Sequence, residues 1–358
     1  MADKIRVMVV DDSILFRNWL VHNLKEQSQF EVIGHASNAF EAMEKVPVLK
    51  PDVLTLDIEM PGMTGLELLK KLLPVYLVPV ILVSSLNMNV FDALNAGAID
   101  FVKKPDDSIG AKAKFLQTLF SKIRIARSAT VRLPRSAVSA SATAAASSFS
   151  RSVSSPSPSS SDDRLIAIGA STGGTEAILE VIRNLPATMP GIVITQHMPA
   201  GFTTMYAERL NRICALEVRE ARNGDRVRPG LVLLAPGGFQ MRVISLGNGY
   251  GVSCTKEDKV NGHCPSVDVL FNSVASSARN RALGVLLTGM GADGAAGLLR
   301  MRKNGAYTIG QDKESCVVYG MPMEAYKIGA VCVQVPLDKV AQTIMQKLSL
   351  TGSQSTRF

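Results

Sequence analysis

Residues 3–126 alternate short apolar runs with longer stretches in which apolar residues recur at helical spacing. The strand-like runs are Ile5–Val10, Val53–Ile58, Val80–Val83 and Ile99–Lys103. The helix-like stretches between them include Ser13–Lys25 and Thr64–Leu73. Short apolar strands separated by helices are typical of βαβ units, whose parallel sheet is covered by helices on both faces. The pattern predicts a doubly wound α/β domain.

Residues 164–349 repeat this alternation. The predicted strands are Leu165–Gly169, Ile192–Gln196, Leu283–Thr288 and Val331–Val335. The predicted helices are Thr175–Asn184, Phe202–Arg212, Gly294–Lys303 and Leu337–Leu348. Residues 216–262 contain short strands and turns instead, with a hairpin near Gly247–Gly251. We interpret this segment as a small β insertion on a second doubly wound parallel sheet.

The segment between the two patterns has a different composition. Residues 128–163 are rich in Ser and Ala, contain Pro, and have almost no large apolar side chains. Such a segment cannot bury a core, which predicts a flexible linker. The expected organisation is a domain at 3–126, a linker at 127–163, a second domain at 164–349 and a disordered tail at 350–358.

Composition limits the class of protein. The chain has 358 residues, of which 46% are hydrophobic and 20% charged, as in ordinary globular proteins. Its start, MADKIRVMVVDD, lacks the apolar region of a signal peptide, and no apolar run reaches the roughly 18 residues that a membrane-spanning helix needs. The five cysteines include no C-x-x-C pair, which argues against a disulfide framework or a structural zinc site. We expect a soluble, cytoplasmic protein without membrane insertion.

The net charge of +8 arises mainly in the second half of the chain. A basic surface attracts acidic partners, either nucleic acid or acidic protein. A solvated basic face with no dedicated partner explains the charge equally well, so charge alone does not identify a partner.

Five polar side chains follow strand ends in the first domain. Asp11 and Asp12 follow the first strand, and Asp57 ends the second. Ser84 and Lys104 end the next two. Ligands of open parallel sheets bind at these carboxyl ends. Three carboxylates there form an oxygen-rich cluster suited to Mg²⁺, while a hydroxyl and an ammonium group suit a phosphoryl group on Asp57. Ordinary strand capping explains any one of these residues, but not all of them together.

The second domain carries a candidate set for serine hydrolysis. Ser171 lies in GASTGG, a glycine-flanked turn between a strand and a helix, where unpaired N–H groups suit an oxyanion. His197 and Asp293 follow two further strands, so the three side chains are expected at one sheet edge. A serine nucleophile needs a base, and the base needs an orienting carboxylate. GASTGG alone is equally compatible with a phosphate-binding loop. The order Ser, His, Asp also differs from that of α/β-hydrolases.

The first domain resembles the response-regulator receiver family. The resemblance rests on Asp11-Asp12, the string LDIEMPGMTG around Asp57, Ser84 and Lys104-Pro105. It implies a flavodoxin-like fold in which Asp57 accepts a phosphoryl group from a histidine kinase. It also implies that Asp11, Asp12 and Asp57 organise Mg²⁺, and that Ser84 and Lys104 sense the phosphoryl group.

Three details accompany the receiver resemblance. It implies a cis peptide at Lys104–Pro105, an isomer essentially confined to proline. Thr64 stands where an acid is common in the family. Phe101 stands where many relatives have a switch tyrosine, which leaves open how the signal reaches the partner surface.

Residues 164–348 resemble the catalytic domain of the chemotaxis protein-glutamate methylesterase family, CheB. The matching strings are GASTGG, TQHMPAGFT, LAPGG, PSVDVLF, LLTGMGADGA and YGMP. The resemblance implies a Rossmann-like three-layer fold with Ser171 as nucleophile, His197 as general base and Asp293 as its orienting acid. The backbone amide of Met290, or Thr172, is a candidate contributor to the oxyanion hole.

One position departs from the family pattern. Gln240 stands where many relatives carry a histidine. If that histidine helps to bind substrate, substrate specificity would be tuned at this position.

The two resemblances together imply hydrolysis of glutamyl γ-methyl esters on chemoreceptors, with release of methanol. They imply deamidation of receptor glutamines as a second activity. The esterase reaction is expected to need no cofactor. The unphosphorylated receiver is expected to pack over the active-site face, and phosphorylation to weaken that packing. A binding module without esterase activity is the main alternative. A DNA-binding output is disfavoured because no helix-turn-helix pattern is present, and a nucleotide-binding loop because GASTGG lacks the Lys-Ser/Thr pair.

Overall fold

The computed structural model describes residues 3–85, 88–131 and 163–352. Most of the predicted linker and residues 353–358 of the predicted tail lie outside these ranges. The described residues form an N-terminal unit, residues 3–131, and a C-terminal unit, residues 163–352. No helix of the described ranges is long and apolar enough to cross a membrane.

The N-terminal unit is a five-stranded sheet with helices on both faces. Its strand order is β2-β1-β3-β4-β5, and every neighbouring pair is parallel. Helices α1 and α5 pack on one face and α2, α3 and α4 on the other. The elements are β1 (Ile5–Val10), α1 (Ile14–Lys25), β2 (Phe30–Ala36), α2 (Ala39–Leu49), β3 (Val53–Leu56), α3 (Gly65–Leu72), β4 (Val80–Ser84), α4 (Asn89–Asn95), β5 (Asp100–Lys103) and α5 (Ala111–Ala126). The predicted doubly wound fold is confirmed.

Side-chain caps set the starts of the two helices predicted in this unit. Ser13 Oγ accepts a hydrogen bond from Phe16 N at the start of α1. At α3, Thr64 Oγ1 accepts from Glu67 N, and Glu67 Oε2 accepts from Thr64 N, which completes a capping box. Thr64, the residue that replaces an acid of the family pattern, therefore serves as a helix cap.

The C-terminal unit is a seven-stranded parallel sheet between two helical layers. Its strand order is β15-β14-β13-β6-β7-β10-β8. Helices α6, α7 and α11 pack on one face, and α8, α9 and α10 on the other. The elements are β6 (Leu165–Ala170), α6 (Gly174–Arg183), β7 (Gly191–Gln196), α7 (Phe202–Ile213), β8 (Glu217–Glu220), β9 (Arg226–Val227), β10 (Leu231–Leu234), β11 (Gln240–Leu246), β12 (Gly249–Thr255), α8 (Val267–Ser277), β13 (Ala282–Leu286), α9 (Ala295–Lys303), β14 (Tyr307–Gln311), α10 (Met321–Lys327), β15 (Val333–Val335) and α11 (Leu337–Gly352). This confirms the predicted fold class.

The β insertion is smaller than the predicted range of residues 216–262. Strands β8 and β10 extend the main sheet, and only β9, β11 and β12 form a separate three-stranded sheet. The four residues of β10, LVLL, are all buried, as expected of a parallel strand covered on both faces. The predicted hairpin is present as the antiparallel pair β11–β12.

Two further expectations differ from the structure. The cis peptide of the described residues is Cys264–Pro265, so the predicted cis bond at Lys104–Pro105 is wrong. A trans bond there follows the ordinary preference of X–Pro peptides, which is about 0.5–1 kcal/mol. Helix α11 continues to Gly352, so the predicted tail does not begin at residue 350.

The strand order of the C-terminal unit creates a crevice at the carboxyl end of β6. The chain passes from β6 to its neighbour β7 and later returns to β13 on the other side of β6. Ligands of open α/β sheets bind where the order reverses in this way. Ser171 follows β6, His197 follows β7, and Asp293 lies in the loop between β13 and α9.

Candidate active site

The carboxylates predicted in the N-terminal unit lie together. One oxygen from each of Asp11, Asp12 and Asp57 is within 4.8 Å of the others, at the ends of β1 and β3. Asp11 and Asp57 are buried, whereas Asp12 is exposed. A cluster made only of carboxylate oxygens, open to solvent on one side, has the donor chemistry that Mg²⁺ prefers.

Lys104 and Ser84 border this cluster. Lys104 Nζ lies 2.6 Å from Asp57 Oδ2 and 2.9 Å from Asp11 Oδ2. Burial raises the pKa of Asp57, and the hydrogen bond from Lys104 opposes that rise. Although burial lowers the pKa of Lys104, the hydrogen bonds to the two carboxylates raise it on balance. The Ser84 hydroxyl is buried without a hydrogen-bond partner in the described chain, so it is available to an incoming oxygen.

The turn that carries Ser171 is held by backbone and amide hydrogen bonds. Ser171 N donates to Thr288 O at 3.0 Å, and Gln196 Nε2 donates to Ser171 O at 2.9 Å. Gly173 has φ +76°, and a Cβ at Gly174 would lie 2.2 Å from Gln196 Oε1. The turn therefore requires both glycines, which explains the second half of GASTGG.

His197 and Asp293 form a buried pair. His197 Nε2 lies 2.8 Å from Asp293 Oδ2. The other ring nitrogen, Nδ1, is buried and has no hydrogen-bond partner in the described structure. If Nε2 carries the ring proton and donates a hydrogen bond to the carboxylate, Nδ1 carries no proton and can act as an acceptor. The arrangement therefore presents a free basic nitrogen.

The Asp293 carboxylate is surrounded by donors. Besides His197, they are Asn261 Nδ2 at 2.8 Å, Ser266 Oγ at 2.8 Å, Val267 N at 2.7 Å and Asp268 N at 3.2 Å. Burial alone would raise the pKa of Asp293, but the hydrogen bonds from His197, Asn261 and Ser266 hold it well below its usual range. Asp293 is therefore an anion that can stabilise a positive charge on His197.

Ser171 and His197 occupy equivalent places on adjacent strands. The register pairs Ala170 with Gln196, so each candidate residue comes one position after this pair. His197 N also donates to Ala170 O at 3.2 Å. Within the described residues, Ser171 Oγ makes no hydrogen bond to His197, so the serine–imidazole contact is not formed in this state.

Thr172 follows Ser171 in the chain, and Met290 follows a glycine that packs against Ser171. The backbone before Met290 approaches Ser171 so closely that a Cβ at Gly289 would lie 2.7 Å from Ser171 Cβ. The Thr172 hydroxyl donates to Asp100 Oδ2 of the N-terminal unit at 2.7 Å. The side chain that follows the candidate nucleophile is therefore hydrogen-bonded to the N-terminal unit.

Aromatic side chains continue this contact between the units. The ring centroid of Phe101 lies 4.5 Å from that of Phe202, and Phe91 stacks on Tyr206 at 5.4 Å. Asp100 is also paired with Lys122 of α5, at 2.6 Å. Phe101, the position of the family's switch tyrosine, is thus a buried interface residue that packs directly on α7.

One feature of the site was not expected from the sequence. The rings of His197 and His263 stack in parallel, with centroids 3.6 Å apart and an angle of 6° between their planes. His263 lies in a loop before α8 to which the sequence assigned no function. Its loop has no regular periodicity, and the string PSVDVLF that resembles the CheB family begins two residues after it.

Gln240 does not fit the suggested role in substrate binding. Its side chain is completely buried. The amide nitrogen donates to Asp258 O and His263 O, and the amide oxygen accepts from Ser266 N. The side chain therefore holds the backbone of the loop that carries His263.

Comparisons with known proteins point to one family. A family model described as response regulator receiver domain matches residues 7–113, and one described as CheB methylesterase matches residues 166–344. A protein-glutamate methylesterase/protein-glutamine glutaminase 2 of Syntrophomonas wolfei is 50% identical over 347 residues, which are 97% of this chain and 98% of the relative. A protein-glutamate methylesterase/protein-glutamine glutaminase of Syntrophotalea carbinolica is 48% identical over 98% of this chain and 99% of the relative.

A solved structure is also similar to the C-terminal unit. The crystal structure of the Thermotoga maritima CheB methylesterase catalytic domain superposes with a TM-score of 0.50 at 36% sequence identity. The match covers 51% of this chain and 97% of that structure.

Proposed function

The chain belongs to the CheB family of protein-glutamate methylesterases/protein-glutamine glutaminases that carry a receiver domain, and on this premise we propose that it hydrolyses glutamyl γ-methyl esters of chemoreceptors under control of Asp57 phosphorylation. The observation that carries the proposal is the His197–Asp293 pair, which has a free ring nitrogen and follows the strand next to the one that ends before Ser171. The proposed place of action is the cytoplasm, where receptor signalling helices are accessible.

Acylation follows from the free ring nitrogen. Ser171 Oγ attacks the ester carbonyl carbon while His197 Nδ1 takes the hydroxyl proton. The tetrahedral intermediate then collapses, the bond between the carbonyl carbon and the methoxy oxygen breaks, and the imidazolium gives its proton to that oxygen, which leaves as methanol. Water attacks the acyl-enzyme by the same route and releases the glutamate side chain. Asp293, held as an anion, stabilises the imidazolium in both steps.

Oxyanion stabilisation is assigned to backbone N–H groups around Ser171 and to the Thr172 hydroxyl. The Gly289–Met290 segment lies against the serine, and Thr172 begins the turn into α6. N–H groups directed at the developing negative charge typically contribute about 10²–10³-fold each to the rate. Glutamine deamidation uses the same residues, with ammonia as the leaving group in place of methanol.

The receiver supplies the control. Asp11, Asp12 and Asp57 would hold Mg²⁺, which when bound neutralises charge on the phosphoryl group during transfer. A histidine kinase of the chemotaxis system is the proposed phosphodonor. Lys104, which already contacts Asp57, and the unpaired Ser84 hydroxyl would contact the oxygens of the phosphoryl group on Asp57. New contacts there compete with those that Lys104 makes to the unmodified carboxylates.

Receiver docking reaches the active site through Asp100. This residue begins β5, the strand that ends one residue before Lys104, and it accepts a hydrogen bond from Thr172. Movement of β5 on phosphorylation would therefore act on the residue adjacent to Ser171. Such a switch requires contacts that differ between docked and undocked states, and this hydrogen bond is one of them.

We expect Asp100→Ala to raise the rate of methanol release measured without phosphodonor by about tenfold. The reason is that a hydrogen bond to a charged group contributes about 1.5–3 kcal/mol, and its loss disfavours docking. The rate with saturating phosphodonor should change little. Asp107→Ala, which removes an exposed acid of the same unit, is the matched control. An unchanged basal rate in Asp100→Ala would show that this contact does not restrain the enzyme.

The proposed function is tested by methanol release from methylated receptor membranes, with and without Mg²⁺ and a small phosphodonor. We expect release that rises when the phosphodonor is added. Absence of release in both conditions, with Asp57 shown to be phosphorylated, would favour the alternative of a receiver-linked binding module.

A further inference from the structure

The stacked histidine beside the catalytic base has no place in the mechanism derived so far. His263 covers one face of the His197 ring, with the ring centroids 3.6 Å apart and the two planes nearly parallel. Within the described chain, the His263 side chain makes no hydrogen bond or ion pair, so the ring contact is its principal specific interaction at the site. The backbone is better fixed, because His263 and Val260 exchange two hydrogen bonds, of 2.9 and 3.0 Å.

The loop from Asp258 to Ser266 is tied to both members of the His197–Asp293 pair. Gln240 anchors the loop from the protein interior through three hydrogen bonds to its backbone. Asn261 donates to Asp293 Oδ1, and Ser266 Oγ donates to the same oxygen. One loop therefore holds the carboxylate from one end and covers the imidazole from its face.

We propose that His263 is a positioning residue for the catalytic base: its flat ring keeps the His197 imidazole in one plane, with Nε2 on Asp293 and Nδ1 left free to take the proton of Ser171. This inference rests on the proposed function, because it assigns a role relative to Ser171 and His197. It adds Gln240 and the 258–266 loop as the support through which the ring is held.

Ring geometry explains why a stacked neighbour has this effect. The hydrogen bond from Nε2 to Asp293 fixes one atom of the imidazole but leaves the ring free to turn about that bond. A second ring in parallel contact blocks that rotation, because tilting His197 would bring its edge into His263. A tilt that displaces Nδ1 by about 1 Å lowers a reaction rate on the order of 100-fold.

The stacked ring is also electrically neutral in the range where an esterase works. Burial and the adjacent His197 lower the pKa of His263 to about 4, with Lys122 and Lys259 acting in the same direction and Asp293 opposing them. An uncharged ring does not repel the imidazolium that forms during each turnover. The proposed role therefore requires a flat ring and does not require a proton.

Two apolar substitutions of similar bulk separate these requirements. His263→Phe keeps a flat ring, whereas His263→Leu fills the space without one. With methylated receptor membranes and saturating phosphodonor, we expect His263→Leu to lower kcat about 10- to 100-fold with KM nearly unchanged. His263→Phe should retain kcat within about threefold of the unmodified chain. Thermal unfolding and Asp57 phosphorylation of both variants are measured to confirm that each is folded.

Each other outcome overturns the inference. Full activity of both variants would show that stacking is dispensable. Equal loss in both would assign the role to the imidazole nitrogens, and a raised KM with unchanged kcat would assign His263 to substrate binding. If His263→Leu fails to fold, the inference is tested by the kcat of His263→Phe alone. A large loss of kcat in a His263→Phe variant with an unchanged melting curve contradicts the role of the flat ring. Activity in Ser171→Ala would instead refute the proposed function.

Discussion

Replacing Ser171 with alanine should abolish methanol release from methylated receptors, lowering kcat by about 10⁴-fold or more while Asp57 still accepts a phosphoryl group. Loss of the serine nucleophile of a serine hydrolase has effects of this size, and the residual rate comes from the oxyanion site and substrate binding. The substitution removes one oxygen atom from a turn held by its own backbone, because the hydrogen bonds at this residue use Ser171 N and Ser171 O. The fold should therefore be unchanged.

The control for this substitution lies outside the candidate active site, near the C-terminal end of α8. Ser276→Ala removes a hydroxyl that bonds only to Asn272 O on the exposed side of α8. It should leave kcat unchanged. Methanol release is followed with and without phosphodonor, and receiver phosphorylation is followed in parallel. Detectable turnover by Ser171→Ala under either condition would remove Ser171 from the role of nucleophile.

Deleting residues 1–160 should raise the basal rate of the esterase by about 5- to 150-fold, the range produced by a coupling free energy of about 1–3 kcal/mol. The physical reason is that the receiver holds Thr172 through Asp100 and covers α7 with two aromatic side chains, Phe91 and Phe101. Without the receiver, these contacts cannot close the site.

The deletion exposes apolar surface that the receiver normally covers, notably Phe202 and Tyr206. Circular dichroism and a melting curve are therefore measured alongside methanol release. The methanol-release rate of the fragment is compared with that of the full-length chain at saturating phosphodonor. The fragment should approach this rate. A folded fragment that is no faster than the unphosphorylated full-length chain would contradict inhibition by the receiver.

The positions of most candidate residues followed from strand ends alone. Asp11, Asp57, Ser171 and His197 each come directly after a strand whose buried apolar run is visible in the sequence. In a parallel sheet such ends meet at one edge, so local pattern was enough to place these side chains together.

The remaining features depend on contacts that sequence periodicity does not encode. Strand β10 was assigned to an insertion because the run LVLL does not indicate which strands it pairs with. In the structure it pairs with β7 and β8. His263 belongs to a loop whose position is set by the buried amide of Gln240. The contact between Asp100 and Thr172 joins residues 72 positions apart in two units, and no pattern within either unit predicts it.

The hydroxyl group of Thr172 has a single hydrogen, and in this structure Asp100 receives it. In the proposed mechanism, an oxygen of the bound ester accepts a hydrogen bond from the same hydroxyl. This hydrogen bond can form only after the one between Thr172 and Asp100 has broken. Inhibition would then arise in two ways: Asp100 and the ester compete for the hydrogen bond of one hydroxyl, and the receiver obstructs the crevice. Thermodynamic reciprocity follows, because docking must weaken the binding of an ester analogue by the same factor by which the analogue weakens docking. A receptor rich in methyl esters would thereby help to release the enzyme that demethylates it.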